Sequence, residues 1–294
     1  MLKRVGLFLL TNLAVIVLLN VIFLILEKVF GIQATGYGYF MVIAVVIGFG
    51  GSIISLFLSK WSAKRAYKLT MITQENLSEL DKKERVVYDT IVQISDQNHI
   101  TLPEIGIYAD KDPNAFATGA TKNSSLIAVS TGLLELMNEK EIAGVIAHEM
   151  SHILSGDMVT MTLLQWVINT LVIFASRVIA NIVSQFVDEK LSWIVYFAVS
   201  ILLEIIFGLM ASTIVMWFSR HREFKADEGS ARYVGKEKMI AALEALRKVQ
   251  MMGKENSQFA TMQISTPKQS GFKKLFSSHP ALEDRIKHLE DYRV

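Results

Sequence analysis

Two apolar stretches, MVTMTLLQWVINTLVIFASRVIANIVSQFV (158–187) and LSWIVYFAVSILLEIIFGLMASTIVMWF (191–218), are separated by only three charged residues, Asp188-Glu189-Lys190. A helix needs about 20 apolar residues to cross roughly 30 Å of hydrocarbon. Each stretch is longer than that, so either the helices tilt or their ends project into water. The pattern predicts a tight hairpin of two membrane helices.

Two charged side chains, Arg177 and Glu204, interrupt this hairpin. Counted from the turn they lie at similar depths, within about 5 Å along the axis. An unpaired charge at that depth costs several kcal/mol. Two interpretations stay open: the side chains pair with each other, or Arg177 extends to the membrane surface while Glu204 is protonated or lines a cytosolic cavity.

Two further apolar stretches precede the hairpin, at Val5–Leu26 and Tyr39–Leu58. Each is close to the length of a membrane helix. Lys3 and Arg4 before the first stretch would also fit a signal peptide, but its apolar core is too long and no small-residue cleavage site follows it. The sequence therefore predicts four membrane spans, the first retained as an anchor.

Positive charges are distributed unevenly around the four spans. The two loops on one side carry a single basic residue each, Lys28 and Lys190, whereas basic clusters flank the spans on the other side. Because cytoplasmic loops carry an excess of Lys and Arg, both termini and both hydrophilic blocks are predicted to be cytosolic. The clusters are Lys3 and Arg4, then Lys60, Lys64, Arg65 and Lys68, then Arg220, Arg222 and Lys225.

The overall composition fits a lipid bilayer as the solvent for part of the chain. Hydrophobic residues make up 51% of the 294 residues, charged residues 20%, and the mean hydropathy is +0.36. The net charge of +2 gives no indication of a nucleic-acid partner. The absence of cysteine excludes disulfides, thiol catalysis and cysteine-based zinc sites, so a metal must be held by histidine and carboxylate ligands.

A capped helix is predicted immediately before the hairpin. Asn138 suits the N-cap position, and Glu141 three residues later completes a capping box. The helix is expected from Glu139 to about Leu154 and should end near Gly156.

The sequence His148-Glu149-Met150-Ser151-His152 lies inside this helix. Residues four apart share a helical face, so the two histidines can bind one zinc ion. Glu149 is turned by about 100° from His148, which lets it act as a general base on the water that such an ion activates. The alternative is that two surface histidines lie beside an ordinary glutamate.

A catalytic zinc site needs a third protein ligand and an open fourth position. The best candidates follow the hairpin, where Glu223 and Asp227 share one face of a helix expected over Ser219–Val234. One carboxylate would bind the metal and the other would hold a ligating imidazole in its tautomer. The alternative is that both carboxylates pair with nearby Arg and Lys side chains on a solvated face. In the first interpretation the hairpin lets the two ligand sets meet at the membrane surface.

These patterns divide the chain into two membrane hairpins and one discontinuous cytosolic domain. The predicted boundaries are 1–60 for the first hairpin, 61–157 for the first part of the catalytic domain, 158–218 for the second hairpin and 219–294 for the second part of the catalytic domain. Within the cytosolic parts we expect a helix at Leu77–His99, strands at Glu104–Ala109 and Ser125–Ser130, helices at Lys236–Gln250 and Ala281–Tyr292, and a mobile loop or lid at Met251–Ser278.

Four motifs and the four spans together resemble one family over essentially the whole chain. The motifs are His148–His152, SRHREFKAD (219–227), NAFATG (114–119), and His279-Pro280 followed by Arg285-Ile286. They resemble those of the HtpX family of bacterial membrane-bound zinc metalloproteases, which is related to the CAAX prenyl proteases.

This resemblance implies a fold, a site and a cellular role. The fold is mainly α and integral to the membrane, with four transmembrane helices and a discontinuous cytosolic α+β domain of the zincin type, gluzincin-like, with a small sheet. The site is one zinc ion per chain bound by His148, His152 and Glu223, with Glu149 as catalytic base and Asp227 supporting His148. The role is stress-linked quality control at the bacterial cytoplasmic (inner) membrane, where misfolded or damaged membrane proteins are cut.

Two of the motifs support further site predictions. Asn114, Ala115 and Phe116 precede the second predicted strand, where an edge strand beside the metal would bind extended substrate; the alternative is a simple turn. His279 is a candidate for stabilising the oxyanion or for transiently occupying the fourth position of zinc, with Arg285 as its structural neighbour. The alternative is that the His-Pro pair only starts a helix.

Three other functions compete with this interpretation: an intramembrane site-2-type protease, a CAAX-type processing enzyme, and a non-enzymatic membrane scaffold or transporter with a fortuitous HExxH. Polar residues on both sides of the histidine helix argue against an intramembrane site. Chain length and the number of spans favour the HtpX family over a CAAX-type enzyme, and no inverted repeat supports a transporter. The oligomeric state stays open.

Overall fold

The computed structural model describes residues 37–255 and 279–292. The chain divides into one unit of residues 1–52 and 165–211 and a second unit of residues 53–164 and 212–294. The predicted first span at Val5–Leu26 and residues 256–278 of the predicted loop lie outside the described residues.

The described part is mostly helical and contains one small mixed sheet, as the sequence predicts. In chain order its elements are α1 (Tyr37–Tyr67), β1 (Thr70–Ile72), a 3-10 helix (Gln74–Glu79), α2 (Lys82–Gln97), β2 (Glu104–Tyr108), β3 (Ala115–Thr121), β4 (Ser124–Ser130), α3 (Thr131–Leu136), α4 (Glu139–Ser155), α5 (Asp157–Ser184), α6 (Glu189–Val234), α7 (Lys236–Glu255) and α8 (Leu282–Asp291).

The sheet has the strand order β1-β2-β4-β3, which leaves β3 at an edge. Strands β2 and β4 are parallel, and the other two pairs are antiparallel. Ile105 and Ile107 pair with Ile127 and Val129, so all four side chains point to one face and join the core with α2 and α4. Gly119 has a φ of +138°, and a Cβ there would lie 2.2 Å from the Ser124 carbonyl oxygen, so the tight connection to β4 requires glycine.

Helix α4 forms as predicted because its capping signals are local. The Asn138 side chain accepts hydrogen bonds from the backbone N–H groups of Lys140 and Glu141, and Glu141 Oε2 accepts one from the Asn138 N–H at 2.9 Å. The helix ends at Gly156, whose φ of +67° is the left-handed conformation that glycine adopts most readily. Its fully buried residues pack against the sheet, α2 and α7: Ile142, Ile146, Met150 and Ile153.

Helices α5 and α6 are long and apolar enough to cross a membrane, with mean hydropathies of 1.7 and 2.4 over their best windows. Only 6% of each window is buried, which argues against core helices of a soluble protein. Helix α6 continues without a break past Phe218 to Val234, as predicted. The turn was predicted at residues 188–190, which is wrong: it lies at residues 185–188, because the Asp188 carbonyl already accepts bonds from Leu191 and Ser192, and Glu189 favours a helical first turn.

Arg177 and Glu204 face each other within the first unit. Arg177 Nη2 lies 3.4 Å from Glu204 Oε1, and both side chains are buried. The Arg177 guanidinium also lies 5.8 Å from the centre of the Tyr196 ring. Of the two interpretations that the sequence left open, pairing is confirmed.

Other elements also differ from the predictions, among them α2, α7 and β1. Helix α2 begins at Lys82 rather than Leu77 because Asp81 caps it with bonds from the N–H groups of residues 83 and 84. Residues 251–255 were predicted as the start of a loop, which is wrong: they extend α7, since most of them are good helix formers. Strand β1 was not predicted, because three residues are too few to show an alternating pattern.

Candidate metal centre

Three predicted ligands come together between α4 and α6. His148 Nε2 lies 3.2 Å from His152 Nε2, and each of these nitrogens lies 3.5 Å from an oxygen of Glu223. The histidines share one face of α4 because they are four residues apart. Helix α6 supplies Glu223, which is only 2% exposed. Side chains that are far apart in the sequence therefore present three donor atoms to one point.

The other nitrogen of each imidazole faces a carboxylate. His148 Nδ1 lies 2.9 Å from Asp227 Oδ1, and His152 Nδ1 lies 2.6 Å from Asp157 Oδ2. A carboxylate accepts a hydrogen bond, so Nδ1 is the donor in both rings. Nε2 of each ring therefore faces Glu223, and in the neutral imidazole this nitrogen carries the lone pair that a metal ligand needs.

The spacing of the donor atoms fits a tetrahedral zinc ion. Zinc bonds to nitrogen or oxygen of about 2.0–2.2 Å place neighbouring ligand atoms about 3.3–3.5 Å apart. The two histidine Nε2 atoms lie 3.2 Å apart, and each lies 3.5 Å from one carboxylate oxygen of Glu223, His148 from Oε2 and His152 from Oε1. Two imidazoles and one carboxylate are also a ligand set that zinc uses in catalytic sites.

Arg285 of α8 neutralises the buried carboxylates of the site. Its Nε and Nη2 donate to the two oxygens of Asp227 at 2.7 and 2.6 Å, and its Nη1 lies 3.5 Å from Glu223 Oε2. Arg285 is 2% exposed and Asp227 is fully buried. The sequence suggested Arg285 as a neighbour of His279; its measured contacts are with the two carboxylates and, at 3.4 Å, with His148 Nδ1.

These contacts shift the pKa values of the site. Burial alone would raise the pKa of Asp227, but Arg285 and His148 hold it below its usual range. Burial likewise opposes ionisation of Glu223, yet the surrounding histidines hold its pKa well below the usual range. Burial lowers the pKa of His152, but Asp157 and Glu223 outweigh it and raise this pKa to about 10. Because a metal ligand must be neutral imidazole, metal binding displaces that proton.

Two further predicted residues lie beside the ligands. Glu149 follows His148 on α4 and is half-buried, and its charge acts on His152 and Arg285. His279 Nδ1 lies 2.8 Å from Glu223 Oε2. His279 therefore contacts the oxygen of Glu223 that also faces Arg285.

The segment Asn114–Phe116 leads into the edge strand β3. The Asn114 N–H donates to Ser130 Oγ, and its carbonyl accepts from the Ser130 N–H, both at 2.9 Å. Ala115 joins the core, so Phe116 points to the opposite face, where its ring centre lies 5.0 Å from that of Tyr67 and 6.0 Å from that of Tyr108. Residues 115–121 thus form the edge strand of the sheet, and most of them are half-buried.

Asp157 is a residue of the site that sequence reasoning missed. It lies five residues after His152, beyond the helix break at Gly156, so helical spacing gives no signal for it. A carboxylate shortly after the second histidine, at the start of the next helix, was the one sign available. Arg222, which lies near Asp157, was likewise counted only among the basic residues that set orientation.

The close approach of α4 and α6 depends on Gly229. A Cβ at this position would lie 2.4 Å from Ser151 Oγ and 2.8 Å from Ser151 Cβ. We expect Gly229→Ala to force the two helices apart and to lower the free energy of unfolding by about 1–3 kcal/mol, measured by denaturant unfolding in detergent. Ser151→Gly in the same chain should restore most of the loss. Equal stability of Gly229→Ala and wild type would contradict this account of the packing.

The fold and the site define a membrane metallopeptidase. The sequence profile of Peptidase family M48 matches residues 81–293, and the chain belongs to this family. The chain is 50% identical to Protease HtpX of Tolumonas auensis, over 99% of this chain and 100% of the relative. It is 47% identical to Protease HtpX of Idiomarina loihiensis, again over 99% and 100%. The resemblance to the HtpX family that the motifs indicated is therefore confirmed, and the chain is a metalloprotease.

A solved structure shares the fold at low sequence identity. The crystal structure of S. mikatae Ste24p matches 98% of this chain and 66% of that protein, with a TM-score of 0.61 and 19% identity.

Proposed function

We propose that the protein is a zinc-dependent endopeptidase of the bacterial cytoplasmic membrane that cuts misfolded or damaged membrane proteins at the cytosolic face. The observation that carries the proposal is the convergence of His148, His152 and Glu223 with zinc-like spacing, next to Glu149. The relatives named Protease HtpX support a proteolytic role.

His148, His152 and Glu223 would hold the zinc ion, one per chain. When bound, the ion polarises a substrate carbonyl and lowers the pKa of a water towards about 7. Asp227 and Asp157 would keep the two imidazoles in the required tautomer, and Arg285 would keep Asp227 ionised despite its burial. These side chains bind and orient; none of them needs to change its protonation during the reaction.

Glu149 would serve as the general base. It lies on the helix of the ligands but outside the ligand set, so its carboxylate is free to accept a proton from the attacking water and to deliver it to the leaving amine. The edge strand β3 would bind the substrate backbone by pairing, with Asn114, Ala115 and Phe116 at its start. His279 would hydrogen-bond to Glu223 Oε2 through Nδ1 and present its other ring nitrogen, Nε2, to the substrate.

The same proposal includes the organisation of the chain. Four membrane spans would form two hairpins at residues 1–60 and 158–218, and residues 61–157 and 219–294 would form one cytosolic zincin-type domain. The basic clusters beside the spans support this orientation. The packing of α4 against a β-sheet supports a site outside the hydrocarbon, since an open sheet edge is not tolerated in lipid.

Removal and return of the metal tests the proposal. The full chain, purified in detergent, should contain one zinc ion per chain and should cut casein and an unfolded membrane protein. Extraction of the metal with a chelator should abolish cleavage, and one equivalent of zinc should restore it, because the ion would both polarise the substrate carbonyl and activate the attacking water. A metal-independent protease in the same detergent controls for chelator effects on the substrate.

Two results would contradict the proposal. Cleavage that persists in metal-free protein would remove zinc from the reaction. Stoichiometric zinc without cleavage of either substrate would leave a metal-binding membrane protein without the proposed activity.

A further inference from the structure

Asp157 contacts one residue on each of the two helices that form the metal centre, His152 on α4 and Arg222 on α6. Its Oδ2 lies 2.6 Å from His152 Nδ1 and 3.7 Å from Arg222 Nη1, and its backbone carbonyl accepts a bond from the same Arg222 nitrogen at 3.4 Å. Asp157 is the first residue of α5, and Arg222 lies on α6 immediately before the predicted ligand Glu223. The three side chains are largely buried, with exposures between 12% and 18%.

The short contact with His152 determines what that imidazole can do. A hydrogen bond from Nδ1–H to a carboxylate fixes the tautomer, fixes the rotation of the ring and makes Nε2 a more basic donor. Without it, the ring of His152 would be free to rotate or to carry its proton on the nitrogen that faces Glu223. Asp227 has the same relation to His148, but it is fixed by two short bonds from Arg285, whereas Asp157 has the longer contact with Arg222.

We infer that Asp157, at the start of α5, is the positioning residue for His152. Arg222, on α6, holds Asp157 in place. Asp157 and Arg222 act on the metal through His152 and do not touch the substrate. The pair gives the second histidine a support of its own, independent of Asp227 and Arg285. The inference rests on the zinc site proposed above.

The dissociation constant of zinc is the measurement that tests this. The full chain in detergent is stripped of metal, and its zinc affinity is measured by competition with a chromogenic chelator. Asp157→Asn keeps the size of the side chain and removes its charge, so we expect zinc binding to weaken by about 10–100-fold. Arg222→Gln should weaken it by about twofold to fivefold, as expected for a partly exposed ion pair.

The double variant separates positioning from independent effects. Because Arg222 acts through Asp157, the chain with both changes should bind zinc as weakly as Asp157→Asn alone, rather than showing the product of the two losses. Asp89→Asn and Arg85→Gln form a matched control pair, since they break an exposed ion pair on α2 in the same unit. Neither control should change zinc affinity.

A merely structural role gives a different result. In that case Asp157→Asn would lower the unfolding temperature of the metal-free protein but bind zinc within about twofold of wild type, and the inference would be overturned. If the Asn variant does not fold, unchanged zinc affinity in Arg222→Gln would overturn it instead. A wild-type chain that binds no zinc would overturn both the inference and the proposed function, whereas a zinc-binding wild type with unaffected variants would overturn the inference alone.

Discussion

Replacing Glu149 with glutamine should lower peptide-bond cleavage by about 10²–10⁴-fold and leave bound zinc unchanged. Glutamine has the same shape as glutamate, but its amide cannot accept a proton from water. The three atoms that would bind the ion belong to His148, His152 and Glu223, so the substitution removes no ligand. Initial rates on an unfolded substrate and zinc content should be measured on the same purified samples.

The control for this experiment is another glutamate in the same unit. Glu135 is exposed on α3, and Glu135→Gln should cleave the substrate at the wild-type rate. If Glu149→Gln kept more than a tenth of the activity, another group would have to be the base. If it lost zinc together with activity, Glu149 would belong to the metal site, and the division of roles proposed here would be wrong.

Replacing Arg285 with methionine should destabilise the unit of residues 53–164 and 212–294 by about 3–5 kcal/mol. Methionine fills a similar volume but leaves the carboxylates of Asp227 and Glu223 buried without their counter-charge. The loss should appear in denaturant unfolding of the full chain in detergent. Arg285→Lys keeps the charge but loses the paired contact with Asp227, so its loss should be smaller. Arg247→Met, at an exposed ion pair, should change stability by less than about 0.5 kcal/mol.

The same variant should show an inverted dependence on pH. In the wild type the pKa of Asp227 is depressed, so its contribution is present above its unfolded pKa of about 4 and is lost as pH falls through the folded value. In Arg285→Met the guanidinium no longer opposes the effect of burial, so the pKa of Asp227 rises. Protonation of the Asp227 carboxyl then increases the free energy of unfolding of the variant. The stability gap between the two proteins should therefore narrow as the pH falls, first above about 4, where the variant takes up its proton, and then below about 4, where the wild type loses the contribution of Asp227. A gap that is constant with pH would show that Arg285 stabilises by packing alone.

The parts of the structure that could be predicted are those with local signals. Helix α4 has its capping box, its histidine spacing and its terminating glycine within nineteen consecutive positions, at residues 138–156, so its bounds agree with expectation to within one residue. Pairing of Arg177 with Glu204 could be proposed because the number of residues from the turn to each side chain places both at a similar depth. The position of that turn was missed because three charged residues suggest a loop, whereas Asp188 and Glu189 also suit a helix start.

The parts that could not be predicted depend on contacts between distant segments. Arg285 lies beyond residues 256–278, and nothing near it in the sequence indicates that its guanidinium faces Asp227. Asp157 lies on the far side of a helix break from His152, where spacing rules based on a continuous helix no longer apply. The sequence around Gly229 gives no sign that glycine is required there, because the requirement comes from the contact with Ser151 on another helix. In each case the decisive neighbour belongs to another element.

The division of the metal centre between distant segments also determines when it can form during synthesis. The ribosome adds α4, with His148 and His152, well before α6 and α8, which carry Glu223, Asp227 and Arg285. At typical elongation rates of about 5–20 residues per second, the interval between His152 and Arg285 is on the order of 10 s. During that time the hairpin helices α5 and α6 emerge in between. A nascent chain therefore contains the two histidines and Asp157 before Glu223 and Asp227 exist, and a chain that ends before Glu223 lacks the third candidate ligand.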